Sequence, residues 1–155
     1  FMGKHPDIVL CGSRWLELVG EKLSKQIVAF VETDHDIRKS MSLFNPFSHS
    51  AVIFRKKTFI TAGGYSERFK YSQDYELWLR MLAFGETLIL KEELAVVRMS
   101  EQSESHKNAR KQKLEALQVR WDAFQQFGGN PGQVLYYFFK TLVGLMSPSK
   151  GNLNR

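Results

Sequence analysis

Residues 45–56 read NPFSHSAVIFRK, residues 63–67 read GGYSE, and residues 73–80 read QDYELWLR. After the Asn-Pro turn, the run from Ser50 to Phe54 predicts a strand. The paired glycines predict a tight, ligand-facing turn, because glycine adopts backbone angles that are closed to residues with a Cβ. The third stretch has the apolar period of a helix. Strands and helices in this order predict an α/β fold.

The helix predicted in the third stretch runs from Gln73 to Phe84, and Gly85 is its expected end. Asp74 falls in the first turn, on the same face as Trp78 and therefore toward the core. A half-buried carboxylate beside an apolar wall can act as a general base and remove a proton from an acceptor hydroxyl. A carboxylate at this position also stabilises the positive end of the helix dipole or caps the first turn, and the helix alone favours that structural role.

Three further elements are predicted upstream of residue 45. An apolar run from Asp7 to Gly12 predicts a buried strand, and Gln26 to Val31 is a second strand candidate. The polar segment from Asp34 to Leu43 predicts a short helix with Asp34 as its N-cap.

Downstream of residue 85, the sequence predicts a strand, a turn and a second strand. The apolar runs Leu88 to Leu90 and Leu94 to Val97 bracket a Glu92-Glu93 pair, which we expect to form the turn. Ser100 to Ser105 is predicted to be a polar loop.

Two helical segments follow that loop. The first, Lys107 to Phe127, is amphipathic and ends at the sequence GGNP, and the second, Val134 to Met146, is apolar nearly all round. Some partner surface is therefore expected to cover the second segment. The polar tail, residues 147–155, is predicted to be disordered. The apolar stripe of the first segment consists of Leu114, Leu117, Trp121 and Phe124.

The C-terminal helices have two open interpretations. Basic residues beside an apolar segment can rest on an anionic membrane surface, where lipid-linked acceptors are found. The alternative is a helical hairpin that packs on its own domain or on a second chain. The basic residues concerned are Lys107, Arg110, Lys111 and Lys113.

Composition sets outer limits on the function. The 155 residues are 43% hydrophobic, which allows a real core, and their formal charge of +6 could attract nucleic acid, anionic lipid or phosphorylated ligands. The single cysteine excludes an intramolecular disulfide and favours a reducing compartment. With no leader-like or membrane-spanning pattern, we expect a cytoplasmic location, including the inner face of the membrane.

The three quoted stretches resemble the second half of family 2 glycosyltransferases. That family has an Asn-Pro-x-x-His-x-x-x-x-Phe-Arg stretch, a Gly-Gly-[Tyr/Phe]-x-Glu turn and a Glu-Asp-[Tyr/Trp]-[Asp/Glu]-Leu-Trp-Leu-Arg helix in this order and at similar spacings. The resemblance covers about residues 1–105 and continues through the strand that ends at Arg98. It implies a partial GT-A fold, the fold of nucleotide-diphospho-sugar transferases, with a short mixed sheet, flanking helices and a C-terminal helical extension.

This resemblance implies a division of the chain and an activity. Residues 1–105 would be the C-terminal, acceptor-side half of the GT-A domain, residues 106–147 a helical extension and residues 148–155 a flexible tail. Asp74 matches the family's base, which deprotonates an acceptor hydroxyl for an inverting displacement at the anomeric carbon of a nucleotide sugar. A single in-line step of this kind needs no covalent enzyme intermediate.

Some features depart from the family's pattern. Gln73 stands where the family usually has Glu, and Ser100 stands where many members have a metal-binding His. The nucleotide-binding strands and the Asp-x-Asp metal motif would precede Phe1, and we interpret the Asp-His-Asp spelling at residues 34–36 as chance. A divalent cofactor, Mn or Mg, is therefore expected only in a longer parent protein, and the 155 residues alone are expected to be inactive.

Several predicted contacts to substrate retain structural alternatives. His49 could contact donor or acceptor or be a turn residue, and Arg98 could bind the donor diphosphate or be an ordinary surface charge at a strand end. Trp78 and Tyr75 could form an aromatic floor for a sugar ring, although their spacing fits core packing more simply, above all for Trp78. The predicted substrate-binding positions are His49, Ser50, Gly63, Gly64, Gln73, Trp78 and Arg98.

These features support two main functional hypotheses. In the first, the parent protein transfers a sugar from a nucleotide sugar to a glycan or lipid-linked acceptor in surface-polysaccharide assembly. In the second, the chain is a non-catalytic module for dimerisation or membrane docking. Nucleic-acid binding rests on charge alone, without a groove-reading helix or stacking motif, and we do not expect it. Strand edges left open by a missing half favour a homodimer.

Overall fold

The computed structural model describes residues 1–25, 31–100, 103 and 107–146. Most of the strand candidate Gln26 to Val31 lies outside the described residues, as do most of the predicted loop from Ser100 to Ser105 and the tail 147–155.

In the described part of the chain, a mixed sheet of four strands is built around one long strand, β1 (Ile8–Val19). β2 (Lys22–Lys25) and β3 (Val52–Phe54) pair antiparallel with the end and the beginning of β1, respectively. β4 (Glu86–Met99) runs parallel to β1 along its whole length. The mixed α/β class predicted from the sequence is confirmed.

The structure corrects several predicted boundaries. The strand predicted to begin at Ser50 begins at Val52, and the helix predicted to end at Phe84 ends at Met81, because a 3₁₀ helix occupies the remaining residues in each case. Three further corrections concern β1, β4 and the first helix. β1 continues seven residues past Gly12, because β2 and β4 both pair with its second half. The predicted strand–turn–strand downstream of residue 85 is wrong: β4 is one strand, in which a bulge opposite Ser13 and Arg14 absorbs the extra residues around Glu92. The N-cap of the first helix is Thr33 rather than Asp34, since the Thr33 hydroxyl accepts a hydrogen bond from the N–H of Asp36.

The described residues also form five α-helices: α1 (Asp34–Ser40), α2 (Lys56–Thr61), α3 (Gln73–Met81), α4 (Ala109–Phe127) and α5 (Pro131–Met146). Short 3₁₀ helices precede β3 (His49–Ala51) and follow α3 (Leu82–Phe84). No helix in the described ranges is long and apolar enough to cross a membrane.

The hydrophobic core lies between the sheet and helices α1, α3 and α4. Trp78, Leu77 and Met81 of α3 are completely buried, and they belong to one cluster with Val119 and Ala123 of α4. The helix α4 therefore packs into the same core as the sheet. Its predicted apolar stripe is only partly buried, because Leu114, Trp121 and Phe124 line a cleft toward α5.

Candidate active site

Asp74 lies half-buried in the first turn of α3. Its Oδ2 accepts a 3.3 Å hydrogen bond from Asn45 Nδ2, and its Oδ1 accepts a 2.8 Å hydrogen bond from the backbone N–H of Tyr75. Burial raises the pKa of the Asp74 carboxyl, whereas the hydrogen bonds and the nearby His49 lower it. The result is an oriented carboxylate that is a stronger base than an exposed Asp.

The Asn-Pro turn holds the amide of Asn45 against Asp74. The Oδ1 atom of Asn45 accepts a 3.1 Å hydrogen bond from the backbone N–H of Phe47, which leaves the amide nitrogen free to reach the carboxylate. The carbonyl oxygen is therefore fixed by the turn and the donor side of the amide by Asp74. The Asn-Pro turn and the first turn of α3 are therefore in direct contact, although Asn45 and Asp74 are 29 residues apart in the sequence.

A second polar pair, His49 and Tyr65, lies beside this carboxylate. The His49 Nε2 and the Tyr65 hydroxyl oxygen are 2.9 Å apart, and the His49 ring meets the edge of Trp78 at 5.9 Å between centroids. Burial and then the charge of Asp74 raise the pKa of the Tyr65 hydroxyl. We refer to Asn45, His49, Tyr65 and Asp74 as the Asp74 cluster. Tyr65 was not singled out from the sequence, although it follows the glycine pair directly.

The glycine turn positions Tyr65 and is held by α3. Gly63 and Gly64 have φ values of +86° and +66°, so the predicted tight turn is confirmed. Arg80 donates from Nη2 to the Gly64 carbonyl at 2.6 Å, binds the Ala62 carbonyl through Nη1, and forms an ion pair with Glu76 at 2.6 Å. The contact of the two glycines with a ligand stays a prediction.

The segment just before α3 is anchored by α4. One carboxylate, that of Glu115, accepts hydrogen bonds from the backbone N–H groups of Lys70 at 3.1 Å, Tyr71 at 2.7 Å and Ser72 at 2.8 Å. Gln112 adds a 3.0 Å hydrogen bond from its Nε2 to the Tyr71 carbonyl. Sequence reasoning missed this anchor, because no local pattern marks a contact across more than forty residues.

The two aromatic residues proposed as a sugar-ring floor are both in the core. Trp78 is 0% exposed, and Tyr75 is buried with its hydroxyl donating to the Met41 carbonyl. Burial also raises the pKa of that hydroxyl well above its ordinary range. The core-packing alternative therefore describes both residues, and no face of either ring is open to a sugar. Trp78 contacts the Asp74 cluster through the ring edge of His49.

The remaining predicted contacts are distributed over the surface. Gln73 is exposed at the start of α3, next to Asp74. Ser50 is exposed in the 3₁₀ helix and lines a cleft of about 220 Å³ beside Gly12 and Ser13 of β1. Arg98 is exposed opposite Leu18 near the end of β4, and no hydrogen bond, ion pair or ring contact joins it to the Asp74 cluster within the described ranges.

The Asp-His-Asp sequence at residues 34–36 does not fit a metal site. Asp34 accepts hydrogen bonds from Arg38 at 2.6 Å and from the Thr87 N–H at 3.0 Å, and Asp36 accepts one from the Thr33 hydroxyl at 2.7 Å. Asp34 therefore ties α1 to β4, and Asp36 binds the hydroxyl of Thr33, the N-cap of α1. In the part of the chain that the structure describes, no group of three or more His, Cys, Asp or Glu residues could hold a metal ion.

Two known proteins are similar to the chain. The amylovoran biosynthesis glycosyltransferase AmsE of Erwinia amylovora is 30% identical over 150 residues, which cover 94% of the chain and 55% of that protein. The UDP-Gal:alpha-D-GlcNAc-diphosphoundecaprenol beta-1,3-galactosyltransferase of Escherichia coli is 35% identical over 85 residues, which cover 55% of the chain and 30% of that protein. The chain is similar to glycosyltransferases.

These matches cover most of the chain but only part of each relative. No protein-family model matches the chain. The chain spans about half the length of AmsE and less than a third of the galactosyltransferase. Because the first match covers 94% of the chain, it includes most of α4 and α5, beyond the residues 1–105 on which the sequence resemblance rested. The helical pair is therefore shared with a glycosyltransferase.

Proposed function

We propose that the protein of full natural length is an inverting family 2 glycosyltransferase with a GT-A fold, of which residues 1–105 form the acceptor-side half. It transfers a sugar from a nucleotide sugar to a hydroxyl of a glycan or lipid-linked acceptor in surface-polysaccharide biosynthesis. The observation that carries the proposal is Asp74, a half-buried carboxylate oriented by Asn45 on a chain similar to two glycosyltransferases.

Asp74 performs the proton transfer in this proposal. The acceptor hydroxyl oxygen forms a bond to the anomeric carbon while the bond from that carbon to the nucleotide phosphate oxygen breaks. The hydroxyl proton passes to the Asp74 carboxylate, and the nucleoside diphosphate leaves with the electron pair of the broken bond. The Tyr75 N–H and Asn45 hold the carboxylate, and the burial that raises its pKa strengthens it as a base.

His49 and Tyr65 provide hydrogen bonds to the acceptor sugar. Both side chains are exposed to solvent. Both also lie near Asp74, since the charge of Asp74 raises the pKa of Tyr65 and His49 lowers the pKa of Asp74. A hydroxyl and an imidazole can each donate and accept, which suits the several hydroxyl groups of a sugar ring. Ser50 and Gln73, which are exposed and adjoin His49 and Asp74 in the sequence, stay predicted contacts to substrate. The contact of the exposed Arg98 with the donor diphosphate stays a prediction.

The names of the two relatives support the substrate class. The Escherichia coli protein is named as a transferase to a GlcNAc-diphosphoundecaprenol acceptor, and the Erwinia amylovora protein is named for amylovoran biosynthesis. We therefore propose a lipid-linked glycan intermediate as the acceptor, used at the cytoplasmic face of the membrane. A Mn or Mg ion bound elsewhere in a full-length protein would neutralise the donor diphosphate, but the described residues offer it no site.

A non-catalytic docking or dimerisation module remains the second candidate, because α5 exposes a large apolar surface. Leu135, Tyr136, Phe139 and Val143 of this helix are all more than half exposed. In that case self-association would be unaffected by a change at Asp74, and no sugar would be transferred. A homodimer is compatible with both candidates.

The test uses the full-length protein and a panel of nucleotide sugars, each with Mn or Mg, and a GlcNAc-diphosphate lipid as acceptor. We expect transfer from one donor, and a product whose anomeric configuration by NMR is inverted relative to that donor. A product with retained configuration would contradict the single displacement. Absence of transfer from every donor would favour the docking module.

A further inference from the structure

Helices α4 and α5 form an apolar surface that the rest of the described chain leaves open. Leu135 and Phe139, one helical turn apart on α5, are 55% and 57% exposed. Between the two helices lies a cleft of about 630 Å³, whose lining includes Trp121 and Phe138. This surface is rich in aromatic residues, which suit the boundary between an apolar and an aqueous phase.

Positive charge borders this apolar surface. The Nζ of Lys113 on α4 lies next to Gly144 of α5, within 3.5 Å of the position that a Cβ would take there. The Nζ of Lys140 lies 5.9 Å and 5.8 Å from the ring centroids of Tyr136 and Tyr137. The helix α5 contains no Asp or Glu.

The helix α4 carries two acidic residues, of which Glu115 faces the segment before α3 rather than the cleft. Glu115 is engaged with the backbone before α3, and Asp122 accepts a 2.9 Å hydrogen bond from Gln118. Lys111 lies 5.6 Å from the Tyr71 ring centroid, toward α3, so the positive charge beside the cleft comes from Lys113 and Lys140. The surface is therefore apolar at its centre and cationic at its border.

We propose that the surface formed by α4 and α5 docks on an anionic lipid bilayer. This inference deepens the proposed function and rests on it, because a lipid-linked acceptor is presented at a bilayer. The apolar side chains of α5 enter the boundary between headgroups and acyl chains, while Lys113 and Lys140 pair with lipid phosphates. A second copy is the weaker alternative, since a two-fold contact would bring the same cationic borders together.

Docking through this surface would also orient the catalytic carboxylate. Glu115 and Gln112 on α4 bind the backbone of Tyr71 and Ser72, which lies immediately before the helix of Asp74. Arg120 of α4 donates from Nη1 to the Thr141 hydroxyl of α5 at 2.9 Å. A continuous series of hydrogen bonds therefore joins α5, α4 and the first turn of α3. The bilayer would fix the direction from which a lipid-linked sugar approaches Asp74.

Vesicle co-sedimentation of the full-length protein tests the proposal, with phosphatidylcholine vesicles that contain or lack phosphatidylglycerol. We expect binding only to the anionic vesicles, and weakening by added salt. Phe139→Gln should weaken binding about tenfold. Lys113→Gln and Lys140→Gln should each weaken it about fivefold.

Matched controls lie on α2. Ile60 is 62% exposed and apolar, and Lys57 is exposed, so Ile60→Gln and Lys57→Gln should leave vesicle binding unchanged. Near-ultraviolet circular dichroism would verify that each variant is folded. Asp74→Asn should bind vesicles like the wild type, which separates failure of the docking proposal from failure of the catalytic one.

Three outcomes would overturn the proposal: no vesicle binding by the wild type, equal binding to neutral and anionic vesicles, or binding that is indifferent to Phe139→Gln. Sedimentation equilibrium of the same variants shows whether a second copy of the chain, rather than a bilayer, covers the surface. A wild-type dimer that Phe139→Gln converts to a monomer, without vesicle binding by either, would assign the surface to a second copy of the chain.

Discussion

Glu115 Oε2 accepts a 2.8 Å hydrogen bond from the backbone N–H of Ser72, two residues before Asp74. Ser72 is the N-cap of α3 but makes no side-chain cap to its own helix, because its hydroxyl donates to the Gln112 carbonyl at 3.1 Å. A carboxylate from α4 thus fixes the backbone that leads into α3. The helix α4 is a structural support of the Asp74 cluster.

Removal of this support should lower the stability of the folded protein. Glu115→Ala leaves three backbone N–H groups without their acceptor, and hydrogen bonds to a charged group are worth about 1.5–3 kcal/mol. We expect the free energy of unfolding to fall by about 2–3 kcal/mol in urea titrations. Asp122→Ala, which removes a surface carboxylate from the same helix, should change it by less than about 0.5 kcal/mol. Equal effects of the two changes would argue against the anchor.

The pH dependence of the reaction should report the contact between Asn45 and Asp74. The hydrogen bond from Asn45 lowers the pKa of Asp74, so Asn45→Ala should raise that pKa further. Since the base must be ionised, the acidic limb of the kcat/KM profile should move to higher pH. A limb that moves to lower pH, or does not move, would show that another group controls it.

The ionised carboxylate of Asp74 should destabilise the folded protein at neutral pH. Burial raises its pKa in the folded state, so the protonated form is favoured by folding. Its stabilising contribution is complete below the unfolded pKa and is lost as pH rises through the folded pKa. The uncharged Asp74→Asn should therefore melt at a higher temperature than the wild type at neutral pH. The difference should shrink as the pH is lowered toward the unfolded pKa of an Asp. A lower melting temperature at neutral pH would contradict the burial effect.

The sequence predicted those parts of the fold that depend on local patterns. The glycine turn, α3 and its buried face, the beginning of β1 and the end of α4 follow from periodicity and from glycine conformation. The continuity of β4 was missed, because the Glu92-Glu93 pair has the composition of a turn and only pairing with β1 keeps it extended.

For the candidate site, the sequence indicated Asp74 and His49 through their motifs but not the contacts between them. Asn45, Tyr65 and Glu115 acquire their positions from long-range hydrogen bonds that have no periodic signal. Trp78 shows the opposite case. The apolar periodicity of its helix predicted that Trp78 lies in the core, whereas the family motif predicted a contact with substrate. The structure places Trp78 in the core.

The central claim is that Asp74 is the general base, and the most direct test compares Asp74→Asn with Asp36→Asn in the full-length protein. Asp36 is an exposed carboxylate on α1 and serves as the matched control. The measurement is kcat for sugar transfer, with donor affinity determined separately. We predict that Asp74→Asn lowers kcat by at least about a hundredfold with donor affinity retained, while Asp36→Asn leaves kcat within about twofold. Transfer by Asp74→Asn at the wild-type rate would contradict the assignment.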